Sequence, residues 1–251
     1  METIEIKAFR ATERPDLCEE FLRQHRKVLE DFGITNVTTN NAEWTTDPTT
    51  IVIVAISSSQ GMVGGIRIEC DKGRRELPIR TALFDLDHRI DNALDALREK
   101  GNAEVCGLWN ANAYSAKGIP TILAFAAVAV ASQVGLTSLV CLVAHYTLRH
   151  ATKSGFTIME DVGHEGTFTY PIPSIKAIAM VIPNVITLET APPTHRKELL
   201  SLRLRPKQDR IEVINGTPTM LKYDLCIDQK VIDLTGYLSI EVLRCRYAAT
   251  A

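Results

Sequence analysis

Between Gly118 and Ala144 the chain carries no Asp, Glu, Lys, Arg or His, and this run limits the possible folds more than any other feature. As a single helix it would be long enough to cross a hydrocarbon core of about 30 Å. As two buried elements it would need a stop signal in the middle, and the sequence has one. Gly135 suits a helix C-cap, and Leu136 to Val143 resumes with the apolar, β-branched character of a buried strand. Pro120 fits the first turn of the preceding helix, where its missing N–H costs nothing. A helix followed by a strand is therefore the preferred reading, and no membrane span is expected.

The flanking sequence alternates in the same way. Ile4 to Phe9 reads as a first strand, and Leu17, Phe21, Leu22, Val28 and Leu29 recur at helical spacing behind Pro15-Asp16. A Thr- and Asn-rich loop leads to an apolar run, Ile51 to Ile56, which the turn Ser57 to Gly61 joins to Met62–Ile68 as a hairpin. Leu83, Leu86, Ile90, Leu94 and Leu97 form an apolar stripe at three-four spacing, which predicts one surface helix ending at Gly101. Downstream come a strand from Ile175 to Ile182, a short helix from His195 to Leu204, and two strands flanking Asn215-Gly216. The predicted organisation is a domain over residues 1–204 and a C-terminal β-containing extension, 205–251, packed on or beside it.

Charge narrows the function classes. The chain has 28 Lys+Arg against 30 Asp+Glu, so the basic footprint expected of a nucleic-acid partner is missing. Its 6 cysteines are scattered without the Cys-x-x-Cys spacing of a zinc or redox site, which suits reduced thiols in a cytoplasmic protein. The opening METIEIKAFR lacks the basic start and apolar core of a signal peptide, so a cytoplasmic location is expected. His145 and His150 lack a partner of metal-ligand type, and no metal is expected. No Ser nucleophile elbow, dinucleotide fingerprint or Walker loop is present.

One succession carries a likeness to a known superfamily. AEVCGLWNA (Ala103–Ala111) is followed, after Asn112-Ala113-Tyr114, by SAKGIPTIL (Ser115–Leu123), then by SLVCLVA (Ser138–Ala144) and KSGF (Lys153–Phe156). This order of strand, Gly-containing turn, helix, strand and Gly-Phe close resembles the acyl-CoA-binding core of the GNAT superfamily of N-acetyltransferases. Arg67 in a Gly-Gly-Ile-Arg-Ile strand, the Glu76-Leu-Pro78 loop and Glu104 add a looser likeness to acyl-homoserine-lactone and N-acyl amino acid synthases. The fold so implied is α/β (α+β), with a mixed, mainly antiparallel sheet of about seven strands flanked by helices.

What the resemblance implies about chemistry can be placed residue by residue. Glu104 matches the strand carboxylate that takes the proton from an attacking amine, directly or through water. A carboxylate between Ala103 and Val105 would be partly desolvated, which favours proton uptake near neutral pH. Its alternative is a strand-end glutamate in solvent. Leu108, Trp109 and Asn110 match the splayed strand that holds the thioester, with the Leu108 amide as oxyanion donor; Trp109 can equally be a core aromatic. Lys117, Gly118, Ile119, Thr121 and Ile122 match the turn that cradles the pyrophosphate of acyl-CoA, and a plain strand-to-helix turn is the competing reading. Arg67 could hold an acceptor carboxylate or make a structural ion pair.

The departures are Ser115 for a basic or amide residue, Pro120 for the second glycine, and Ala151 for the tyrosine that serves as general acid. They weaken the phosphate cradle, so an acyl carrier protein competes with coenzyme A as donor. The expected activity is acyl transfer from a thioester to a small-molecule amine such as an amino acid. The competing expectation is a catalytically silent domain that binds an acyl thioester or a protein partner.

Overall fold

Alternating apolar residues give the first strand, β1 (Glu2–Arg10), with Ile4, Ile6 and Ala8 facing one side of the sheet. The computed structural model describes residues 1–31, 33–34, 38, 41–71, 75–115, 118–214 and 216–227. α1 (Pro15–Asp31) opens on Pro15 and buries Cys18, Phe21 and His25. The expected hairpin is β2 (Ile51–Ser57) with β3 (Gly61–Cys70), both buried on nearly every residue because helices cover the two faces of the sheet.

The apolar stripe from Leu83 to Leu97 does not form one helix. It forms α2 (Pro78–Leu83) and α3 (Arg89–Arg98), with a turn between them in which Leu86 is 55% exposed. Asp87 makes the break. One carboxylate oxygen accepts the Arg89 N–H at 3.0 Å and the other accepts the Gly163 N–H at 2.6 Å. The Arg89 guanidinium, followed by those two backbone N–H groups, holds the Asp87 carboxyl well below the usual range.

The remaining elements are β4 (Asn102–Asn110), α4 (Ile119–Ala131), β5 (Ser138–Ala144), α5 (Leu148–Lys153), β6 (Thr157–Ile158), β7 (Thr167–Thr169), β8 (Lys176–Ile182), α6 (Pro193–Leu204), β9 (Lys207–Ile214) and β10 (Thr217–Asp224). They build one 10-stranded sheet in the order β6-β8-β5-β4-β3-β2-β1-β10-β9, with β7 also on β8, which exceeds the expected seven strands. β1 with β10 and β4 with β5 are parallel, and every other pair is antiparallel. The mixed, mainly antiparallel α/β architecture is the one expected. Described residues of the C-terminal segment join the sheet directly, since β10 lies against β1.

The charge-free run divides where Gly135 predicts. α4 lies on β2, β3 and β4 and is covered from outside by α5 and α6, so almost its whole circumference is buried. Its seat on β3 is close. A Cβ on Gly64 would lie 2.8 Å from Ile119 Cγ2 and 3.2 Å from Leu123 Cδ1. Leu123 is fully buried at this seam, and Leu123→Ala is expected to cost about 2–5 kcal/mol in urea unfolding. A loss below about 1 kcal/mol would mean the seam can collapse around the missing atoms. Among the described residues no helix is long and apolar enough to cross a membrane.

Candidate functional site

β4 and β5 share only three paired positions, Asn102 with Ser138, Ala103 with Leu139 and Glu104 with Val140. β5 then follows β8, to which it stays paired as far as Ala144 with Ala177, while β4 continues along β3 to Asn110. The two parallel strands therefore diverge from Glu104 onward. β4 is also bulged. Arg67 lies opposite Cys106 but Gly65 lies opposite Trp109, and the extra residue is taken up at Gly107, whose φ is 60°.

The bulge decides which backbone groups face the opening. Ala111 N–H donates to Val63 C=O at 2.9 Å. By alternation Trp109 also turns its backbone toward β3, and Leu108 and Asn110 turn theirs toward the side that β5 has left. The Trp109 ring is a core aromatic, 3% exposed and edge-on to Phe21 at 5.8 Å. Of the three residues expected at the thioester, Leu108 and Asn110 front the wedge and Trp109 supports it from behind.

Glu104 sits at the apex of the wedge and is 1% exposed. Its Oε2 accepts the Ile79 N–H from α2 at 2.7 Å. Burial pushes its carboxyl up to about 8, against the opposing effects of the Ile79 N–H and the charges of Arg67 and Arg75. The same face of the sheet holds a buried ionic cluster. Arg67, fully buried, donates from Nε to Glu69 Oε1 at 2.7 Å and lies over the Trp44 ring at 4.9 Å. Arg75 pairs with the other Glu69 oxygen, and Cys106 Sγ contacts Glu69 Oε1 at 3.4 Å. The carboxylate that Arg67 holds is thus Glu69's, a residue the sequence reading passed over.

The turn before α4 differs from the expected phosphate cradle. Gly118 adopts the left-handed conformation with φ 68°, and its carbonyl accepts both the Thr121 and Ile122 N–H groups at 3.0 and 3.1 Å. Those two amides are spent inside the helix and Pro120 has none. The Ile119 N–H is not among the amides spent in this way, and it has no acceptor among the described residues. Lys117 lies outside the described residues.

Among the described residues α5 brings positive charge to this end of α4, a contribution the sequence reading did not use. Arg149 Nε–H donates to His150 Nε2 at 3.3 Å, which puts the imidazole proton on Nδ1, 2.7 Å from Thr121 Oγ1. Burial, reinforced by Arg149 and Lys153, lowers the His150 pKa, so the ring is held neutral as a brace between α4 and α5. Lys153 lines two surface depressions. One of about 310 Å³ lies between α4, α6 and the β9–β10 hairpin; the other, of about 530 Å³, lies over Tyr146 and Arg149. Neither reaches Glu104. The spacing Arg149-His150-x-x-Lys153 on one short helix was the available signal for this basic end.

No family model matches the sequence, and no curated protein matches it. Solved structures do resemble it. FeeM, an N-acyl amino acid synthase from uncultured soil microbes, superposes with a TM-score of 0.56 at 15% identity, over 78% of this chain and 99% of FeeM. BjaI, a CoA-dependent acyl-homoserine lactone synthase solved with SAM and isopentyl-CoA, gives a TM-score of 0.50 at 12% identity over 96% of this chain and 100% of BjaI. An acetyltransferase of the GNAT family from Streptococcus pneumoniae gives 0.45 at 14% identity, over 71% of this chain and 98% of that one. At such identities the likeness is one of fold, and the fold is the one this chain shares with FeeM and BjaI.

Proposed function

We propose that this chain is an N-acyltransferase that moves an acyl group from a thioester, acyl-CoA or acyl carrier protein, to a small amine such as an amino acid. The observation that carries the reading is the wedge: two parallel strands that part at a buried carboxyl, which burial pushes up to about 8. The named activities of the two better-fitting structural neighbours, an N-acyl amino acid synthase and an acyl-homoserine lactone synthase, agree with it.

In this reading the thioester arm enters between β4 and β5, and its carbonyl oxygen meets the backbone N–H of Leu108. The amine nitrogen attacks the carbonyl carbon, the C–S bond breaks, and sulfur leaves with the electron pair. Glu104 takes the amine proton, directly or through a bridging water, on the carboxylate oxygen that the Ile79 N–H does not occupy. A covalent route through the Cys106 thiol is disfavoured, since burial pushes it up to about 12 and keeps it protonated. With Thr121 and Ile122 amides spent and Pro120 lacking one, the turn gives a pyrophosphate little backbone to bind. Among the described residues Arg149 and Lys153 of α5 are cations placed to meet it.

The test is a matrix of donors, acyl-CoA, acyl-pantetheine and acyl carrier protein, against a panel of amines, read by thiol release and product mass. Thiol release coupled to an N-acylated product is expected. Acyl-pantetheine matching acyl-CoA would show that the nucleotide contributes nothing. Thioester binding without turnover in any cell of the matrix would overturn the enzyme reading in favour of a silent binding domain, which the methyl group of Ala151 in place of a tyrosine hydroxyl would then explain.

A further inference from the structure

We propose that β9 is a self-pairing edge: two copies of this chain join β9 to β9 antiparallel, Ile211 opposite Ile211, fusing their sheets. β9 ends the 10-stranded order, and among the described residues nothing pairs with its outer side. It has neither the proline nor the bulge that keeps edge strands from pairing, and its solvent face shows Ile211 and Val213 at 63% and 72% exposure.

The hydrogen-bond phase of the hairpin fixes which groups are free. Leu225 N–H donates to Pro206 C=O at 2.9 Å, continuing the register that sets Ile214 against Thr217 and Glu212 against Thr219. Even-numbered residues of β9 therefore bond to β10. Pro218, which has no N–H to give, falls opposite odd-numbered Val213, as this phase requires. The N–H and C=O groups of Asp209, Ile211 and Val213 consequently point outward.

A twofold pair centred on Ile211 uses all of them. Ile211 exchanges both bonds with its own counterpart, and Asp209 does so with Val213 of the second copy on each side of the axis. Arg210 then stands opposite the second copy's Glu212, twice, at the non-bonded positions where side chains come closest. The neighbouring registers of the same phase fail. One sets Arg210 against Arg210, the other Glu212 against Glu212.

The side chains support the same centre. Among the described residues the Glu212 carboxylate has no ion-pair partner in its own chain, and burial together with the nearby Glu198 outweighs Arg210 in raising its pKa. On the solvent face Ile211 lies beside Met220 and Val213 beside Pro218, so pairing would extend one apolar strip across the joint.

Light scattering of the full chain at micromolar concentration tests the register through charge. The wild type is expected to be a dimer. Arg210→Glu and Glu212→Arg are each expected to be monomeric, while their equimolar mixture and the double variant regain the dimer, because opposite charges again face each other. A monomeric wild type, a dimer indifferent to either reversal, or a mixture that stays monomeric would each overturn the proposal. Ile211→Cys serves if a charge variant fails to fold, since Ile211 points to solvent. The paired positions lie about 5.5 Å apart between Cα atoms, within the disulfide range of about 4.4–6.8 Å. Copper-phenanthroline should then give a covalent dimer joined through the two introduced thiols by peptide mapping, and an absence of that link also overturns the register.

Discussion

Glu104→Gln is expected to lower kcat by about 10²- to 10⁴-fold while thioester affinity stays within about twofold. The glutamine keeps the shape and still accepts the Ile79 N–H, but it cannot take a proton. In the wild type, with its carboxyl near pH 8, about a tenth of the molecules carry the ionised base at pH 7. Turnover should accordingly rise with pH toward a plateau above that value. To keep the acceptor's own ionisation out of the profile, the amine should be one already neutral below pH 7, and the rising limb should disappear in the variant. Unchanged turnover in Glu104→Gln would remove Glu104 from the chemistry.

The same substitution has a stability signature of known sign. A carboxyl raised from 4.5 to about 8 on folding holds its proton in the native state across that window, so the native chain binds more protons than the unfolded one. Stability is then greatest at the acid side and falls as pH rises from 4.5 to 8, by on the order of 4 kcal/mol in total from this one group. Glu104→Gln removes that dependence. Its melting temperature should flatten across the window and overtake that of the wild type at alkaline pH. A parallel decline in both proteins would assign the pH dependence to other groups.

How far the sequence could be read follows from the range of the interactions involved. The split of the charge-free run into α4 and β5 was legible because Pro120 and Gly135 act on their own residues through φ and a missing donor. The divergence after Glu104 was legible only through the resemblance, since nothing local in AEVCGLWNA says which partner β4 will keep. The break between α2 and α3 was hidden. Leu86 fits the helical stripe, and the Gly163 N–H that binds Asp87 lies 76 residues away. At the turn before α4 Pro120 announced one lost amide, but the capture of the Thr121 and Ile122 amides by the Gly118 carbonyl needed coordinates. Glu69 carried a local signal that was missed. Two residues after Arg67 on an otherwise apolar strand, it had to share Arg67's face.

That pair yields the second large effect. Glu69→Ala is expected to destabilise the fold by about 3–5 kcal/mol, measured by urea unfolding, because it strips the carboxylate from a fully buried Arg67 and from Arg75. No water can replace it cheaply. The same guanidinium already lies against Gly107 of β4, in the space a Cβ would need there. Replacing both charges, Arg67→Met with Glu69→Leu, should recover part of the loss, since an apolar pair leaves a smaller uncompensated charge in the core. Arg67 and Arg75 already act to lower the Glu104 pKa. With Glu69 gone their charge is no longer balanced, and the rising limb of the pH–rate profile should move to lower pH in whatever folded Glu69→Ala can be assayed. A cost below about 1 kcal/mol would show instead that the cluster is solvated like a surface pair, and a limb that stays put would uncouple it from the base.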